Sequence, residues 1–350
     1  MIRTPISLAL LATLAACGDG QPFFNEEEAA IEVGSPDEFL SDNTDSIALD
    51  DALADRGDII RQEPTDGNGG IASALVFNVD EDTFFVDGLA FDGLNTYQRF
   101  GAIESIGDNK VFQADFVVED SLTGAPVGQS IPYFALYNAS TVTLEDGTPR
   151  SALAIVRTGG YTDYGFGSYS YQRAGNHVLP TEGQATFTGT YAGLRVFDKI
   201  SEIELSQADV SLDIDFDDFD GTPGLKGVLT NRHYYAANGA EITVFTDELR
   251  TDDHDDAAIQ APDLNFVVRA GGTTISTSGE IAGEVSNRII DPRSGDHVDY
   301  EVGNYFGILA GDMTDVADGG EVVGILVFEV EDSRFGNVIA QETGGFIATR

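Results

Sequence analysis

The sequence has no tryptophan, four histidines and a single cysteine, Cys17, in 350 residues. One cysteine cannot form an internal disulfide. The histidines show neither HExxH nor another metal-ligand spacing, and no GxSxG elbow or dinucleotide-binding glycine loop is present. We therefore predict no catalytic residue, no metal site and no cofactor. The four histidines are His177, His233, His254 and His297.

Basic residues are also scarce, with 18 Lys and Arg against 60 Asp and Glu, which gives a net charge of −42. Such a surface repels nucleic acid and anionic lipid, so we predict no nucleic-acid partner. A solvated, salt-tolerant surface is favoured over a specific site for a charged ligand. Because 42% of the residues are hydrophobic, the chain can still build packed cores.

Two acidic runs are candidate cation sites. The run 213–221 places Asp218 where an EF-hand loop needs glycine, so it does not match that motif. The run 251–256 surrounds His254 with four aspartates and is interpreted as an exposed loop, with weak divalent-cation binding as the alternative. A carboxylate pair for glycoside hydrolysis is a further alternative, without a specific pair to support it.

The first residues have the features of an export signal. Arg3 is a positive flank, Pro5–Leu11 is a short apolar run, and Leu14-Ala15-Ala16-Cys17 resembles the bacterial lipobox. We predict a signal peptide over 1–17, cleavage before Cys17 and acylation of Cys17, which anchors the protein durably. Gly18 instead of Asp favours the outer membrane by resemblance to bacterial sorting rules. An ordinary secretion signal is the alternative.

Residues 18–70 are acidic and lack sustained periodicity, and we predict a flexible tether. Within them, Ile47–Ile60 has the spacing of a short helix, and 64–70 is a clear stop rich in glycine. Residues 71–182 then predict a β-rich, handle-like domain of β-branched and aromatic runs separated by turns. The runs are Ala74–Val79, Thr83–Val86, Gln98–Ile103, Lys110–Val118, Ile131–Tyr137 and Ala152–Thr158.

Residues 183–350 predict an eight-stranded antiparallel β-barrel. In Ala208–Phe216, apolar residues alternate with Asp and Ser, as in a strand with one buried face. Eight such runs suffice to close a small barrel, and their internal glycines suit sharp bends. The runs are Thr186–Phe197, Ala208–Phe216, Gly224–Asn231, Leu264–Arg269, Thr273–Gly283, Asp299–Gly311, Glu321–Val330 and Thr343–Thr349. The predicted fold class is therefore all-β.

Two aromatic stretches are the candidate ligand-binding residues. One is an aromatic and small-residue run that predicts a loop or edge strand displaying flat side chains to a partner. The other follows a strand, and its His and Tyr are residue types that ligate haem iron. For both, packing within the fold is the alternative. The residues are Tyr161, Tyr164, Phe166, Tyr169 and Tyr171 in the first stretch, and His233, Tyr234 and Tyr235 in the second.

Three short motifs resemble one lobe of transferrin-binding protein B and its smaller bacterial relatives. Residues 189–193, Gly-Thr-Tyr-Ala-Gly, resemble the first barrel strand of that family. Residues 305–310 with 318–324 resemble its late hairpin around an acidic-Gly-Gly turn, and 341–346 resemble a closing strand. The likeness covers 71–350 and implies a handle-plus-barrel lipoprotein that binds a ligand. No transferrin-contact motif is matched, so the resemblance does not imply transferrin.

These features together predict a lipid-anchored outer-membrane binding protein, at the cell surface, whose partner is an extracellular protein or a haem or iron carrier. The link to iron or haem uptake comes from the resemblance alone. A structural or adhesion lipoprotein without a small ligand is the first alternative. An integral outer-membrane barrel is the second, since its strands also alternate apolar and polar residues.

Overall fold

The computed structural model describes residues 44–46, 57–63, 72, 74–89, 93–115, 117–119, 123–128, 132–159, 164–217, 224–242, 261–267, 275–290, 295–335 and 338–350. These residues form 21 β-strands and one 3₁₀ turn, Ser333–Phe335, and they contain no α-helix. They all belong to one compact unit of the chain, Glu32–Arg350. Within the described ranges, no helix has the length and hydropathy of a membrane span. Cys17 lies outside the described residues.

The first half of the chain forms a ten-stranded sheet. Its central strands follow one another as antiparallel neighbours, in the order β1-β3-β4-β5-β7-β10-β11-β12-β2, with β6 paired to β7. Strands β8 and β9 form a separate hairpin. The strands are β1 Thr44–Ser46, β2 Ile59–Gln62, β3 Ala74–Asn78, β4 Thr83–Leu89, β5 Gly93–Arg99, β6 Ser105–Ile106, β7 Asn109–Gln113, β8 Val117–Glu119, β9 Pro126–Gly128, β10 Tyr133–Ala139, β11 Ser151–Thr158 and β12 Gly167–Arg173.

The second half forms a closed barrel of eight antiparallel strands, β14 to β21. The order is β19-β18-β17-β16-β15-β14-β21-β20, and pairing of β20 with β19 closes it. Strand β13 pairs in parallel with the end of β19. The strands are β13 His177–Val178, β14 Gln184–Phe197, β15 Ile200–Asp215, β16 Gly224–Ala236, β17 Leu264–Phe266, β18 Glu280–Ile290, β19 His297–Asp312, β20 Glu321–Asp332 and β21 Val338–Thr349.

The predicted all-β fold, with an eight-stranded antiparallel barrel after a β-rich region, is confirmed. Each of the eight predicted barrel runs overlaps one barrel strand. The alternation in β15 works as expected, because Val210, Leu212 and Ile214 are buried in the barrel whereas Asp209 and Asp213 are exposed. The predicted limits of the tether, handle and barrel domains stay predictions.

Glycines in the barrel strands make room for aromatic rings on the neighbouring strand. Gly324 lies directly opposite Phe346, and a Cβ on Gly324 would be 2.6 Å from that ring. The pairs Gly283–Tyr305 and Gly227–Phe266 repeat this arrangement. Large rings and glycines therefore alternate around the interior, a combination that allows the strong curvature of a small barrel. This gives the glycines noted in the sequence a packing role.

The ten-stranded sheet packs against the outer face of the barrel. A single buried apolar cluster, which we call the junction cluster, contains residues from both parts and removes them from water. Its members include Val111, Phe134, Leu153, Ile155, Tyr169 and Tyr171 from the ten-stranded sheet, and Leu194, Val196, Ile203, Leu205, Ile308 and Ile325 from the barrel. Ion pairs reinforce it, such as Arg61–Glu280 at 2.6 Å. One side of the barrel is thus covered by the ten-stranded sheet of the same chain.

On β15 and β16, the barrel wall outside this interface carries charged side chains. Asp209 and Asp213 on β15 are exposed, and Lys226 on β16 is 76% exposed. A barrel embedded in lipid carries an apolar outer band, where charged side chains are costly. The charged side chains of β15 and β16 are therefore unlike the apolar outer band of an integral outer-membrane barrel.

The structure differs from the predicted elements in the barrel, in the predicted tether and in the run Lys110–Val118, which overlaps both β7 and β8. The fifth barrel strand begins at Glu280 instead of Thr273, since 275–279 contain a turn that precedes the strand. Ile59 and Ile60 are in strand β2, where a helix was predicted, because they pair with Arg173 and Gln172 of β12. The predicted tether likewise contains β1 and β2. Because this segment is acidic and lacks sustained periodicity, its sequence does not indicate these short strands. Pairing within the ten-stranded sheet stabilises them.

Candidate functional site

The first aromatic stretch is divided between loop and core. Tyr161 lies outside the described residues. Tyr169 and Tyr171 are on β12 and belong to the junction cluster, each only 3% exposed. Burial raises the pKa of both phenols. These two tyrosines therefore pack between the ten-stranded sheet and the barrel, as in the packing alternative.

Tyr164 and Phe166 are the members of this stretch that retain partial exposure. Tyr164 packs at the margin of the junction cluster, and Phe166 packs against the core of the ten-stranded sheet. Gly159, just after β11, touches the start of β15, because a Cβ on Gly159 would be 2.1 Å from the carbonyl oxygen of Ser201. The end of β11 is thus held at the barrel end where β14 and β15 meet.

The second stretch alternates across the wall of β16. Tyr234 points into the barrel and is 2% exposed, whereas His233 and Tyr235 point outward. The pairing of β16 with β15 shifts register between Thr230 and His233. In this interval Asn231 adopts a left-handed backbone with φ of 52°. Such a bulge re-aims the side chains that follow it. The bulge therefore sets His233 and Tyr235 on the outer surface.

These outward residues form a polar group that we call the rim patch: Gln207, Asn231, His233, Tyr235 and Glu241. His233 Nδ1 is 2.9 Å from Glu241 Oε1, and His233 Nε2 is 3.1 Å from Asn231 Oδ1. Tyr235 donates to Gln207 Oε1 at 3.3 Å. Partial burial, and then Glu241, raise the pKa of Tyr235. The patch presents an imidazole and a phenol with fixed orientations.

The rim patch lies beside the ten-stranded sheet. The turn after β16 touches that sheet, since a Cβ on Gly239 would be 2.9 Å from the Cβ of Ala102. Tyr235 and Ile103 both pack at the margin of the junction cluster. The rim patch therefore lies next to residues of both parts of the protein.

Beneath the rim patch, the barrel interior contains a buried ion pair. Arg232 Nη2 donates to Glu301 Oε1 at 2.8 Å, and Arg232 Nη1 donates to the carbonyl oxygen of Pro262 at 2.8 Å. Arg232 and Glu301 are 3% and 0% exposed. Asn287 Nδ2 also donates to Glu301, and the guanidinium lies 5.7 Å from the ring of Tyr234. Arg232 and Glu301 thus each have a further hydrogen-bond partner besides one another.

A second group of buried charges lies at the same end of the barrel. Arg195, which is fully buried, donates to Asp332 at 2.9 Å and lies 3.4 Å from Glu204. Arg334 donates to both of these carboxylates, at 2.6 Å and 3.0 Å. Buried charges are tolerated when they are paired in this way. Two arginines and two carboxylates thus neutralise each other inside the barrel.

Glu342 is a buried carboxyl that accepts from neutral donors. Ser206 and Tyr191 donate to its Oε1 at 2.5 and 2.9 Å. Burial raises the pKa of Glu342, against the opposing charge of Arg232. A carboxyl with a raised pKa stabilises the fold fully below its unfolded value of 4.5, and this contribution is lost as the pH rises through the folded pKa.

The interior of the barrel is therefore filled by paired charges at one end and by an apolar core at the other. The apolar core includes Phe187, Leu212, Leu229, Phe266 and Phe346. Among the described residues, no group of three or more His, Cys, Asp or Glu is placed to hold a metal ion. In the run 213–221, Asp213 and Asp215 accept from Thr186 and Gln184. Residues 218–221 and 251–256 lie outside the described residues.

Sequence reasoning did not identify the buried charges. Arg195 shares the inward parity of Phe187 and Tyr191 on β14, so strand alternation was an available signal for this residue. Arg232 follows the bulge at Asn231 and is therefore out of step with the inward residues Leu225 and Leu229 of β16. A charged residue in a strand is ordinarily assigned to the wet face, so neither arginine was predicted to lie inside the barrel.

Comparisons with known proteins give matches among solved structures. No family model and no curated protein matches the chain. Transferrin-binding protein B (TbpB) from Haemophilus parasuis Hp5 is 13% identical over 79% of this chain and 51% of that chain, with a TM-score of 0.32. Intact Ap-TbpB, with N and C lobes, is 12% identical over 79% of this chain and 52% of that chain, with a TM-score of 0.32.

A smaller protein matches over nearly its whole length. HpuA from Kingella denitrificans, solved in complex with human haemoglobin, is 12% identical over 88% of this chain and 91% of that chain, with a TM-score of 0.35. This chain spans about half the length of the TbpB structures. The resemblance to transferrin-binding protein B that the sequence motifs indicate is confirmed to this extent: the chain is similar in structure to TbpB and to HpuA.

Proposed function

We propose that this chain is a lipid-anchored outer-membrane binding protein that recognises its ligand on the outside of the barrel. The observation that carries this proposal is the filled barrel interior, in which Arg232, Glu301 and Tyr234 occupy the space beneath the rim patch. A ligand then binds to loops and outward side chains on a rigid scaffold, a common arrangement in binding proteins. The lipobox-like run 14–17 supports the anchor.

The proposed recognition surface consists of the partly exposed members of the two aromatic stretches, Tyr164, Phe166, His233 and Tyr235. Aromatic side chains that are half-buried at their base and open at their tip are typical anchors of protein interfaces. Tyr164 and Tyr235 both border the junction cluster. The proposed partner is an extracellular protein or a haem or iron carrier, as the sequence motifs imply.

A binding experiment tests this surface. The chain from Gly18 to Arg350 is immobilised and exposed in turn to haemoglobin, transferrin and haemin, and any saturable binding is compared among variants. Tyr235→Ala is expected to weaken binding by roughly thirtyfold, since removing an interface anchor costs about 2 kcal/mol. Val316→Ser is the control, because Val316 is 87% exposed on the turn at the opposite end of the barrel.

The outcomes separate the candidate functions. Loss of binding in Tyr235→Ala with unchanged binding in Val316→Ser supports the rim patch. Equal binding by both variants contradicts recognition by the rim patch. An absence of saturable binding to all three probes, together with altered envelope properties in cells lacking the protein, supports the structural or adhesion lipoprotein instead.

A further inference from the structure

Arg173 joins the ten-stranded sheet to the barrel through carbonyl oxygens. It lies at the end of β12 and is 3% exposed. Its Nη1 lies 2.7 Å from the carbonyl oxygen of Ser278 and 2.9 Å from that of Leu309, both in the barrel. Its Nη2 donates to the carbonyl oxygen of Gly57 at 2.8 Å. A single guanidinium therefore connects three segments of the chain.

His177 completes this arrangement. Its Nδ1 is 2.9 Å from Arg173 Nη1, and its ring lies against Gly279, where a Cβ would be 2.8 Å from His177 Cδ2. Because a guanidinium only donates, His177 Nδ1 can take part only as an acceptor that shares the two N–H groups of Nη1 with the two carbonyl oxygens. This role requires the neutral ring with its proton on Nε2. Protonation would place an N–H and a positive charge against Arg173. The contact is thus compatible with one protonation state of His177.

The other charged groups around this contact have partners of their own. Glu280 on β18 accepts from Arg61 on β2 and from Ser278. Asp58, which precedes β2, accepts from the amide of Gly175. Farther along β19, Asp312 accepts from Thr314, and Arg150 pairs with Asp318. The charge that directly faces His177 is the guanidinium of Arg173.

The direction of the pH effect follows from this environment. Burial, and then the charge of Arg173, lower the pKa of His177 below 6.5. The unfolded chain therefore binds the proton more readily than the folded one. The stabilising contribution is complete above the unfolded pKa, declines as the pH falls through 6.5, and is fully lost below the folded pKa.

We propose that Arg173 and His177 form a pH-sensitive latch between the ten-stranded sheet and the barrel, which is closed while His177 is neutral and weakened when it is protonated. The latch would loosen the attachment of β13 and of the turn before β18. It concerns how the two parts hold together, and it is independent of the ligand proposed above.

Amide hydrogen exchange tests the latch. The amide of Leu309 donates to the carbonyl oxygen of Gly279, and the amide of Met313 donates to that of Val178, so both report on the junction. In the unmodified protein, their protection factors are expected to fall roughly fivefold between about pH 7.5 and about pH 5.5. Protection factors, which are corrected for the intrinsic pH dependence of exchange, isolate the structural effect.

Two variants make the result specific. In His177→Asn, the amide oxygen can accept from Arg173 at every pH, so the fall should disappear. In His177→Lys, a permanent cation should keep protection low at both pH values. A fall of the same size in His177→Asn, or unchanged protection in the unmodified protein, would overturn the latch.

Discussion

Replacing Arg232 by methionine is expected to lower the free energy of unfolding by about 3–5 kcal/mol, the usual cost of leaving a buried charge without its partner. Glu301 is 0% exposed and would lose both of its guanidinium hydrogen bonds, while Asn287, among the described residues, would still donate to it. Methionine fills much of the space, so the loss reflects charge and not a cavity. Chemical denaturation at pH 7 measures the change.

The matched variant replaces both members of the pair. In Arg232→Met with Glu301→Met no buried charge remains, and buried pairs replaced by apolar residues are often neutral in stability. We expect the double variant to recover most of the loss. If the double variant is as unstable as the single one, the role of this pair is shape and not charge compensation.

Replacing Gly303 by alanine is expected to destabilise the barrel by about 3 kcal/mol, the upper range for overpacking. A Cβ on Gly303 would be 2.2 Å from the carbonyl oxygen of Val327 and 2.4 Å from the Cα of Phe328. Both are backbone atoms of β20, which faces Gly303 across the β19–β20 pairing. A backbone cannot rotate away as a side chain can, so the two strands must separate. Thermal unfolding followed by circular dichroism measures the effect.

Gly101 provides the control for this substitution. A Cβ there meets no atom within 4 Å, so Gly101→Ala should keep or slightly raise stability by reducing the freedom of the unfolded chain. Equal stability of the two alanine variants would show that β19 and β20 tolerate a side chain at position 303.

Strand periodicity was sufficient to predict the barrel from the sequence. Every residue of β15 from Asp209 to Asp215 lies on the side that its polarity indicates, because one face is packed and the other is wet. The turn containing Asp318 and Gly319 likewise ends one strand before the next begins at Glu321. Local patterns of this kind depend only on neighbouring residues, so they can be recognised in a single chain.

The candidate functional surface was harder to predict because burial depends on residues far apart in the sequence. Tyr169 and Tyr171 look like exposed anchors in an aromatic, serine-rich run, yet the barrel covers them. Tyr234 and Tyr235 point to opposite faces because neighbours in a strand alternate, and the bulge at Asn231 decides which of them points inward. Strand parity across that bulge could not be counted before the structure was known.

The central claim, a lipid-anchored binding protein at the cell surface, is tested most directly by protease treatment of intact cells. A periplasmic lipoprotein in the same cells serves as the control for envelope integrity. We predict that added protease trims this protein while the control stays intact. Complete protection of both proteins would contradict surface exposure and would favour a carrier or structural role inside the envelope.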